Sequence, residues 1–272
     1  LIENNQILQF RGYGIDLVSD VSNVTITGNQ IESNGAGGTE ASGIGLRTNV
    51  SNVLIQGNTI TANNQAGIIL YSTAQDITIS QNTIYSNGAL GIDLGAGTNL
   101  NGDGVTANDP GDGDGGGNDL LNFPVLNQAD FDGFDTTIDG SLNSPANTTF
   151  TLEFFANAAA DPAGYGEGET YLGLDTVTTD GTGNVTFSIP LVGVSVSAGD
   201  TITATATDPA GNTSEFSAGV VATVSSGACG TNLVMVTADG AFASGYDNDK
   251  RLLFESWGLT VTAIDDDAPQ AT

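Results

Sequence analysis

The chain has very few basic residues and no histidine. Its 272 residues contain 4 Lys and Arg against 32 Asp and Glu, which gives a formal net charge of −28 at pH 7. A field of this sign repels polyanions and anionic lipid surfaces. We therefore expect no nucleic-acid partner and no direct membrane insertion.

Cysteine is almost absent as well. The single Cys229 excludes an internal disulfide framework. There is no signal peptide, apolar membrane run or initiator Met, and the chain opens inside a repeat. We therefore expect it to be a fragment whose targeting signal, if any, lies upstream. Low lysine content and acidic, Gly-rich loops favour an extracellular, calcium-rich setting.

A repeat occupies the first third of the chain. Residues 24–31, 53–60 and 77–84 share the pattern [VI]-x-I-x-x-N-x-I, and residues 2–7 contain a shorter copy. A Gly-Ile pair follows each Asn, at Gly14-Ile15, Gly43-Ile44, Gly67-Ile68 and Gly91-Ile92. Successive Asn residues (Asn5, Asn29, Asn58, Asn82) are 24, 29 and 24 positions apart. A regular period of this size predicts a solenoid.

Apolar and polar residues alternate within each period, which predicts short strands rather than helices. Stacked coils would pair each strand with its copies above and below. Residues 1–98 are thus predicted to form about four coils, with these isoleucines inside: Ile15, Ile26, Ile31, Ile44, Ile55, Ile60, Ile68, Ile79, Ile84 and Ile92. Two Asn columns mark the corners, the second being Asn34, Asn63 and Asn87. Amide stacking between coils is the structural interpretation of the columns, and ligand binding is the alternative.

On these residues the segment resembles the right-handed parallel β-helix of secreted and cell-surface bacterial proteins. The resemblance covers roughly a third of the chain and is specific for architecture. It implies no single activity, since the fold includes pectin and alginate lyases, polysaccharide hydrolases and surface proteins without catalysis. Function must therefore be argued from a site.

Candidate catalytic groups are poorly placed in the repeat. The two carboxylates of a glycosidase lie about 5 to 10 Å apart, whereas Asp16 and Asp93 occupy equivalent positions three coils apart, or about 14 Å at the strand spacing. The resemblance implies that a lyase of this fold acts by a calcium-assisted elimination in which an Arg or a Lys is the base. The candidates Arg11 and Arg47 have no clustered acidic partner in the sequence. We predict no catalytic residues here.

The segment 99–119 is acidic and rich in glycine. Asn99, Asn101, Asp103 and Gly104 match the first half of a D-x-[DN]-x-[DN]-G calcium loop, but Pro110 stands where the closing Glu is expected. The predicted calcium ligands are Asn99, Asn101, Asp103, Asp109, Asp112 and Asp114. The favoured interpretation of residues 99–120 is an acidic Gly-rich linker, and the calcium loop is the alternative.

Residues 121–224 change to longer alternating strands separated by turn residues. Strands are predicted over 136–142, 149–156, 171–178, 184–189, 201–207 and 215–223, with a hairpin turn at Asp180-Gly181-Thr182-Gly183. This spacing favours an antiparallel sandwich. The stretch TITATATDPAGNTSEFS, residues 201–217, resembles the last hairpin of bacterial immunoglobulin-like domains.

The tail, residues 229–272, predicts a β-α-β unit with strands over 232–236 and 259–264 and an amphipathic helix over 247–257. The unit resembles the opening of a flavodoxin-like or amidotransferase-like domain. Some forty residues are too few to bury a doubly wound sheet, so we expect the chain to stop inside this domain.

The sequence as a whole predicts a mainly β protein: a parallel β-helix, an immunoglobulin-like sandwich and a short β-α-β segment. The predicted function is a non-catalytic scaffold, adhesion or carbohydrate-binding module of a secreted or cell-surface bacterial protein, with polysaccharide or a cell-surface glycan as the partner. The alternative is a polysaccharide lyase or glycoside hydrolase. A purely calcium-ordered spacer is a third interpretation.

Overall fold

A computed structural model describes residues 1–36, 41–95, 97 and 102–224, together with the backbone of residues 232–237 and 260–265. The chain divides into two compact units, Leu1–Thr223 and Val224–Thr272. Strands dominate the described residues, which agrees with the predicted fold class.

The first half of the larger unit consists of three parallel sheets with four strands each. Their orders are β1-β4-β7-β10, β2-β5-β8-β11 and β3-β6-β9-β12, so every coil contributes one strand to each sheet. The strands are β1 (Ile2–Glu3), β2 (Gln6–Leu8), β3 (Ile15–Ser19), β4 (Ser22–Thr27), β5 (Gln30–Glu32), β6 (Ile44–Thr48), β7 (Ser51–Gln56), β8 (Thr59–Thr61), β9 (Ile68–Leu70), β10 (Gln75–Ser80), β11 (Thr83–Tyr85) and β12 (Ile92–Leu94).

The predicted interior of the coils is confirmed. All ten isoleucines are buried; the most exposed of them, Ile15, retains 7% of its surface. They stack in register, as in the series Ile31, Ile60 and Ile84. Burial of these equivalent positions stabilises the coils collectively, because each strand supplies apolar surface to the next.

Both Asn columns stack as predicted. In the first, the backbone and side-chain amides of Asn29 donate to Asn58 Oδ1, each at 2.9 Å, and Asn58 makes the same two bonds to Asn82. In the second, Asn34 and Asn63 repeat this arrangement. The described contacts of these amides are within the protein, so the columns serve to join the coils.

Residues 102–120 connect the coils to the second half of the unit and end in a short helical turn, Gly117–Leu120. Within it Asn118, Asp119 and Leu120 have positive φ values of 47°, 56° and 55°. Asn118 is fully buried and binds the backbone of Ile77 through both side-chain atoms, at 3.0 and 2.8 Å. The connection is therefore anchored to the last coil.

The second half is a sandwich of two four-stranded sheets, ordered β17-β14-β13-β20 and β16-β15-β18-β19. Residues of both sheets share one apolar cluster that includes Ile138, Leu142, Phe150, Phe154 and Ile202. The strands are β13 (Val125–Phe131), β14 (Thr136–Asn143), β15 (Thr149–Asn157), β16 (Thr170–Thr178), β17 (Asn184–Leu191), β18 (Thr201–Thr207), β19 (Val220–Val221) and β20 (Thr223–Val224).

Two details of the sandwich differ from the sequence prediction. The strand over 125–131 was not predicted, because Asp130 and Gln128 interrupt its apolar alternation. The strand predicted over 215–223 is limited to two short pieces from Val220 onward. The residues before it, Glu215 and Phe216, turn toward the last coil and make contacts there that a continuous strand would prevent.

The smaller unit contains two parallel strands, β21 (Asn232–Thr237) and β22 (Thr260–Asp265). Their direction agrees with a β-α-β connection. The predicted helix over 247–257 and Cys229 lie outside the described residues.

Candidate functional site

The acidic connection brings together three of the six predicted calcium ligands. Asp109, Asp112 and Asp114 each place a carboxylate oxygen within 4.8 Å of the others. Asn99 and Asn101 lie outside the described residues. Asp103 is not part of this cluster, and its backbone N–H binds the carboxyl group of Asp93 on β12. The predicted set is therefore divided between two places in the fold.

Asn122 fixes the geometry of this three-residue acidic cluster. Its side chain accepts the N–H of Asp109 at 3.0 Å and donates to the Asp109 carbonyl at 2.8 Å, while its own N–H donates to Asp112 Oδ1 at 2.7 Å. Burial, together with the charges of Asp109, Asp114 and Asp119, raises the pKa of Asp112 to about 7 against the opposing bond from Asn122. Such a group is stabilised in its charged form by a bound cation.

A second polar cluster lies on the outer face of the β3-β6-β9 sheet and is here called the Arg47 patch: Tyr13, Asp16, Arg47 and Tyr71. Arg47 forms a bidentate ion pair with Asp16, with Nε–Oδ1 and Nη2–Oδ2 distances of 2.7 and 2.8 Å. Its guanidinium carbon lies 4.9 Å from the ring centre of Tyr13 and 5.7 Å from that of Tyr71. Gly45 permits this packing, since a Cβ there would come within 2.8 Å of the Tyr13 ring.

No acidic partner of Arg47 was predicted from the sequence, but in the structure Asp16 is its partner. Asp16 pairs with Gly45 across adjacent coils, so Arg47, two residues further along β6, lies diagonally opposite Asp16. Alternation puts positions 45 and 47 on the same face of the strand. The pair could have been found from the register of the repeat.

The chemistry of the Arg47 patch does not favour proton abstraction. The hydrogen bond and charge of Asp16 raise the pKa of Arg47, and an arginine is protonated at physiological pH in any case. Burial raises the pKa of Tyr13, and the bond with Tyr71 raises it further. Neither group is suited to act as a general base near neutral pH.

The predicted separation of Asp16 and Asp93 is confirmed by the register. Asp16 pairs with Gly45, Gly45 with Ile69, and Ile69 with Asp93, which places the two carboxylates three strands apart in one column. Three strand spacings amount to about 14 Å. Two carboxylates at this distance do not form a glycosidase pair.

The third polar site is the junction between the last coil and the sandwich, where three buried glutamates of the sandwich half bind the coil. Glu153 accepts the Ser80 hydroxyl at 2.5 Å and the Gln81 N–H at 2.8 Å. Glu167 accepts the N–H groups of Ser86 and Asn87. Their side chains and that of Glu215 are buried, with 2 to 7% of the surface exposed.

Glu167 continues the second Asn column with a different residue. Asn87 donates its backbone and side-chain amides to Glu167 Oε1, at 2.9 and 3.1 Å. Asn63 makes the same pair of bonds to Asn87 Oδ1. A carboxylate oxygen thus takes the place that an Asn would occupy in a fifth coil.

Other junction contacts cover the remaining open strand edges of the last coil. The N–H of Ile79 on β10 donates to Thr213 Oγ1 at 3.0 Å, and Ile84 on β11 exchanges two backbone bonds with Gly168. The N–H of Leu94 on β12 donates to Glu215 Oε1 at 2.9 Å. An exposed edge would pair with other chains, so these contacts terminate the solenoid.

The junction residues Glu153 and Glu167 were not predicted from the sequence. The available signal was acidic residues in otherwise apolar or neutral strands, such as Glu153 in the segment TLEFFAN. A buried acidic side chain requires a donor, but the donors belong to a coil some 70 to 120 residues away. Nothing in a single sequence identifies them.

The buried carboxyl groups predict a pH-dependent stability. Burial raises the pKa of Glu215 from 4.5 to about 8 and that of Asp93 from 3.8 to about 6, and it also raises the pKa values of Glu153 and Glu167. Between the pKa of each group in the unfolded chain and its higher pKa in the folded protein, the folded protein binds more protons than the unfolded chain. The free energy of unfolding therefore falls as pH rises. In the presence of a calcium chelator, we expect the free energy of unfolding to drop by a few kcal/mol between about pH 5 and pH 9.

Urea denaturation at each pH measures this effect. Glu215→Gln is the matched variant, because it keeps the shape and one of the two acceptor oxygens but cannot ionise. We expect its profile to be flatter above pH 6. An identical slope in both proteins would show that Glu215 is not a source of the dependence.

In the described residues no helix is both long and apolar enough to span a membrane. Residues 1–122 match a protein family described as "Right handed beta helix region". No curated protein matches the chain. The match covers the four coils and the acidic connection, and the stacked parallel sheets of the coils agree with a right-handed β-helix.

Proposed function

We propose that this chain is a non-catalytic structural module of a secreted or cell-surface bacterial protein, in which the sandwich caps the β-helix and the pair forms one rigid element. The observation that carries the proposal is the junction. Donors on all three sheets of the last coil are bonded to the sandwich half or to the connection. Such a junction supports a spacer or display role.

Continuity of the apolar core supports the same proposal. Phe155 and Phe216 of the sandwich half belong to the cluster formed by the coil isoleucines. Their rings pack edge to face with centroids 5.3 Å apart. A shared core resists bending between the two halves, which is what a rigid display element requires.

The proposed partner is a polysaccharide or a cell-surface glycan, and the Arg47 patch is the surface we assign to it. Arg47 and Asp16 retain 24 and 29% of their side-chain exposure. The Arg47 guanidinium lies over the ring of Tyr13, which is partly exposed, and beside that of Tyr71, which is buried. Sugars bind surfaces that combine aromatic and planar polar groups. The sandwich is proposed to be immunoglobulin-like and the smaller unit to be a flavodoxin-like or amidotransferase-like start.

The competing function is a polysaccharide lyase or glycoside hydrolase that uses the Arg47 patch. We expect no turnover of pectate, alginate or neutral glucans with calcium present, because the patch holds no group that is a base near neutral pH. The measurement is release of unsaturated products and reducing ends. Turnover that is lost in Arg47→Ala but kept in Arg11→Ala would replace our proposal with the lyase.

Calcium is the proposed ion of the acidic connection, held by Asp109, Asp112 and Asp114. Of the other predicted ligands, Asn99 and Asn101 lie outside the described residues, and Asp103 is not part of this cluster. Oxygen ligands of this kind suit calcium, and the weak end of extracellular sites is millimolar. We expect calorimetry to show weak heat that Asp112→Asn removes. Absence of heat from the unmodified chain at millimolar calcium would remove the proposal.

A further inference from the structure

Three Asp-Pro peptide bonds occur in the chain, and each opens a turn of the same kind. They are Asp109-Pro110, Asp161-Pro162 and Asp208-Pro209. In each turn, the N–H group three residues after the aspartate donates to the aspartate carbonyl, which is the carbonyl of the Asp-Pro bond, at 2.9 to 3.3 Å. All three prolines are exposed. Neither the turn nor access to water therefore distinguishes the three bonds.

The Asp109 carbonyl differs from the other two because it has a second donor. Asn122 Nδ2 donates to this carbonyl at 2.8 Å, and Asn122 Oδ1 accepts the Asp109 N–H at 3.0 Å. Asn122 is buried and also donates to the Asn143 carbonyl, which fixes its orientation. The described donors to the carbonyls of Asp161 and Asp208 are the turn N–H groups alone. A rigid side-chain donor thus points at one Asp-Pro carbonyl of the three.

The Asp109 carboxylate is also held more loosely than that of Asp208. Both oxygens of Asp109 share a single donor, the Gly113 N–H, at 3.1 and 3.2 Å. The Asp208 carboxylate accepts three bonds, from the N–H of Gly211 and from the backbone and side-chain amides of Asn212. An aspartate carboxylate can attack its own carbonyl carbon by closing a five-membered ring, and such intramolecular attack is strongly favoured by proximity.

We propose that the chain cleaves its own Asp109-Pro110 bond. A carboxylate oxygen of Asp109 attacks the Asp109 carbonyl carbon, and the bond from that carbon to the Pro110 nitrogen breaks. The nitrogen takes a proton from water and leaves as a secondary amine, while Asp109 closes to a cyclic anhydride. Water then opens the anhydride to two carboxyl groups, so the net reaction is hydrolysis. Asn122 Nδ2 and the Asp112 N–H stabilise the negative charge that forms on the carbonyl oxygen, as in an oxyanion hole.

Cleavage would leave two chains, residues 1–109 and 110–272, that remain associated. The junction still joins them, through the bond from Ser80 to Glu153 and through Phe216 in the core of the coils. The activity goes beyond a spacer or display role and does not depend on it. A cation on the Asp109 carboxylate would occupy the nucleophile, so the test is made in the presence of a chelator.

Intact-mass spectrometry of the full chain, incubated near neutral pH, tests the proposal. We expect fragments that end at Asp109 and begin at Pro110 to form at least about tenfold faster than fragments from the Asp161 and Asp208 bonds. Hydroxylamine should trap the anhydride as a hydroxamate on the fragment that ends at Asp109. In urea the three rates should become similar, because the Asn122 donor is lost. Equal rates at the three bonds of the folded protein would overturn the proposal, as would an uncleaved Asp109-Pro110 bond.

Two variants test the roles of the nucleophile and the donor. Asp109→Ala should abolish cleavage at this bond, and Asn122→Ala should slow it by about a hundredfold, the usual effect of losing an oxyanion donor. Asp119→Asn, an exposed acid of the same connection, is the control and should not change the rate. Asp109 lies in a partly exposed turn, so its variant decides the matter even if Asn122→Ala fails to fold. An unchanged rate in Asp109→Ala would mean direct hydrolysis by water and would overturn the proposal.

Discussion

Asn58→Ala is expected to destabilise the larger unit by about 3 to 5 kcal/mol, since several buried groups lose their partners at once. The Asn58 side chain accepts two bonds from Asn29 and donates to the Ile26 carbonyl at 2.9 Å and to Asn82 Oδ1 at 2.9 Å. Alanine supplies none of these groups, and no water replaces them in a site that is 1% exposed.

Chemical denaturation followed by circular dichroism measures the loss. The matched control is Asn52→Gly, which removes an Asn-to-Asn bond between the same two coils at an exposed position, Asn52 Nδ2 to Asn23 Oδ1. Glycine tolerates the φ of +51° at residue 52. We expect the control to lose less than about 1 kcal/mol. Equal losses would mean that burial does not determine the value of the Asn column.

The repeat could be predicted because every coil carries the same short sequence pattern. Each coil places an isoleucine and an Asn at the same point, so position alone assigns Ile55 to the interior and Asn58 to a corner. The single departure in spacing, between Asn29 and Asn58, leaves the pairing intact, since Ile31 still faces Ile60. Periodic sequences of this kind specify register and burial together.

The sites were only partly predictable, because they depend on contacts without a period. The acidic connection has the composition of a calcium loop along its whole length, yet Asp103 bonds Asp93 while Asp109 bonds Asn122. The position of each acid is decided by its contacts with Asp93 on β12 and with Asn122, and neither of these residues belongs to the motif. Composition therefore identified the acidic segment, but it did not show which of its residues contact β12 and which form the three-residue acidic cluster.

Termination of the β-helix was also beyond the sequence, for a related reason. A coil that ends a solenoid needs acceptors for its open N–H groups, and any residue with a buried oxygen suffices. Here a glutamate, a threonine and a backbone carbonyl serve on three different sheets, through Glu215, Thr213 and Gly168. These groups are equivalent as hydrogen-bond acceptors but share no sequence pattern, so no sequence motif marks the end of the solenoid.

The apolar part of this cap yields the last prediction: Phe216→Ala should cost about 3 to 5 kcal/mol, the usual range for a buried phenylalanine. Phe216 is 3% exposed and closes the interior of the last coil beside Ile84 and Ile92. Gly91 and Gly168 leave room for its ring, since a Cβ on either would come within 2.9 Å of it. Alanine would leave a cavity at the end of the solenoid.

Amide hydrogen exchange combined with urea denaturation separates this role from a general loss of stability. We expect the amides at the junction, Ile84 and Leu94, to exchange faster in Phe216→Ala than that of Ile55 in the middle coils, because the cap opens before the coils unfold. Phe134→Ala is the control: Phe134 is a sandwich residue with 68% exposure, and its loss should change stability by no more than about 0.5 kcal/mol. Uniform acceleration at all three amides would mean that the coils and the sandwich unfold as one cooperative unit, with no separable cap.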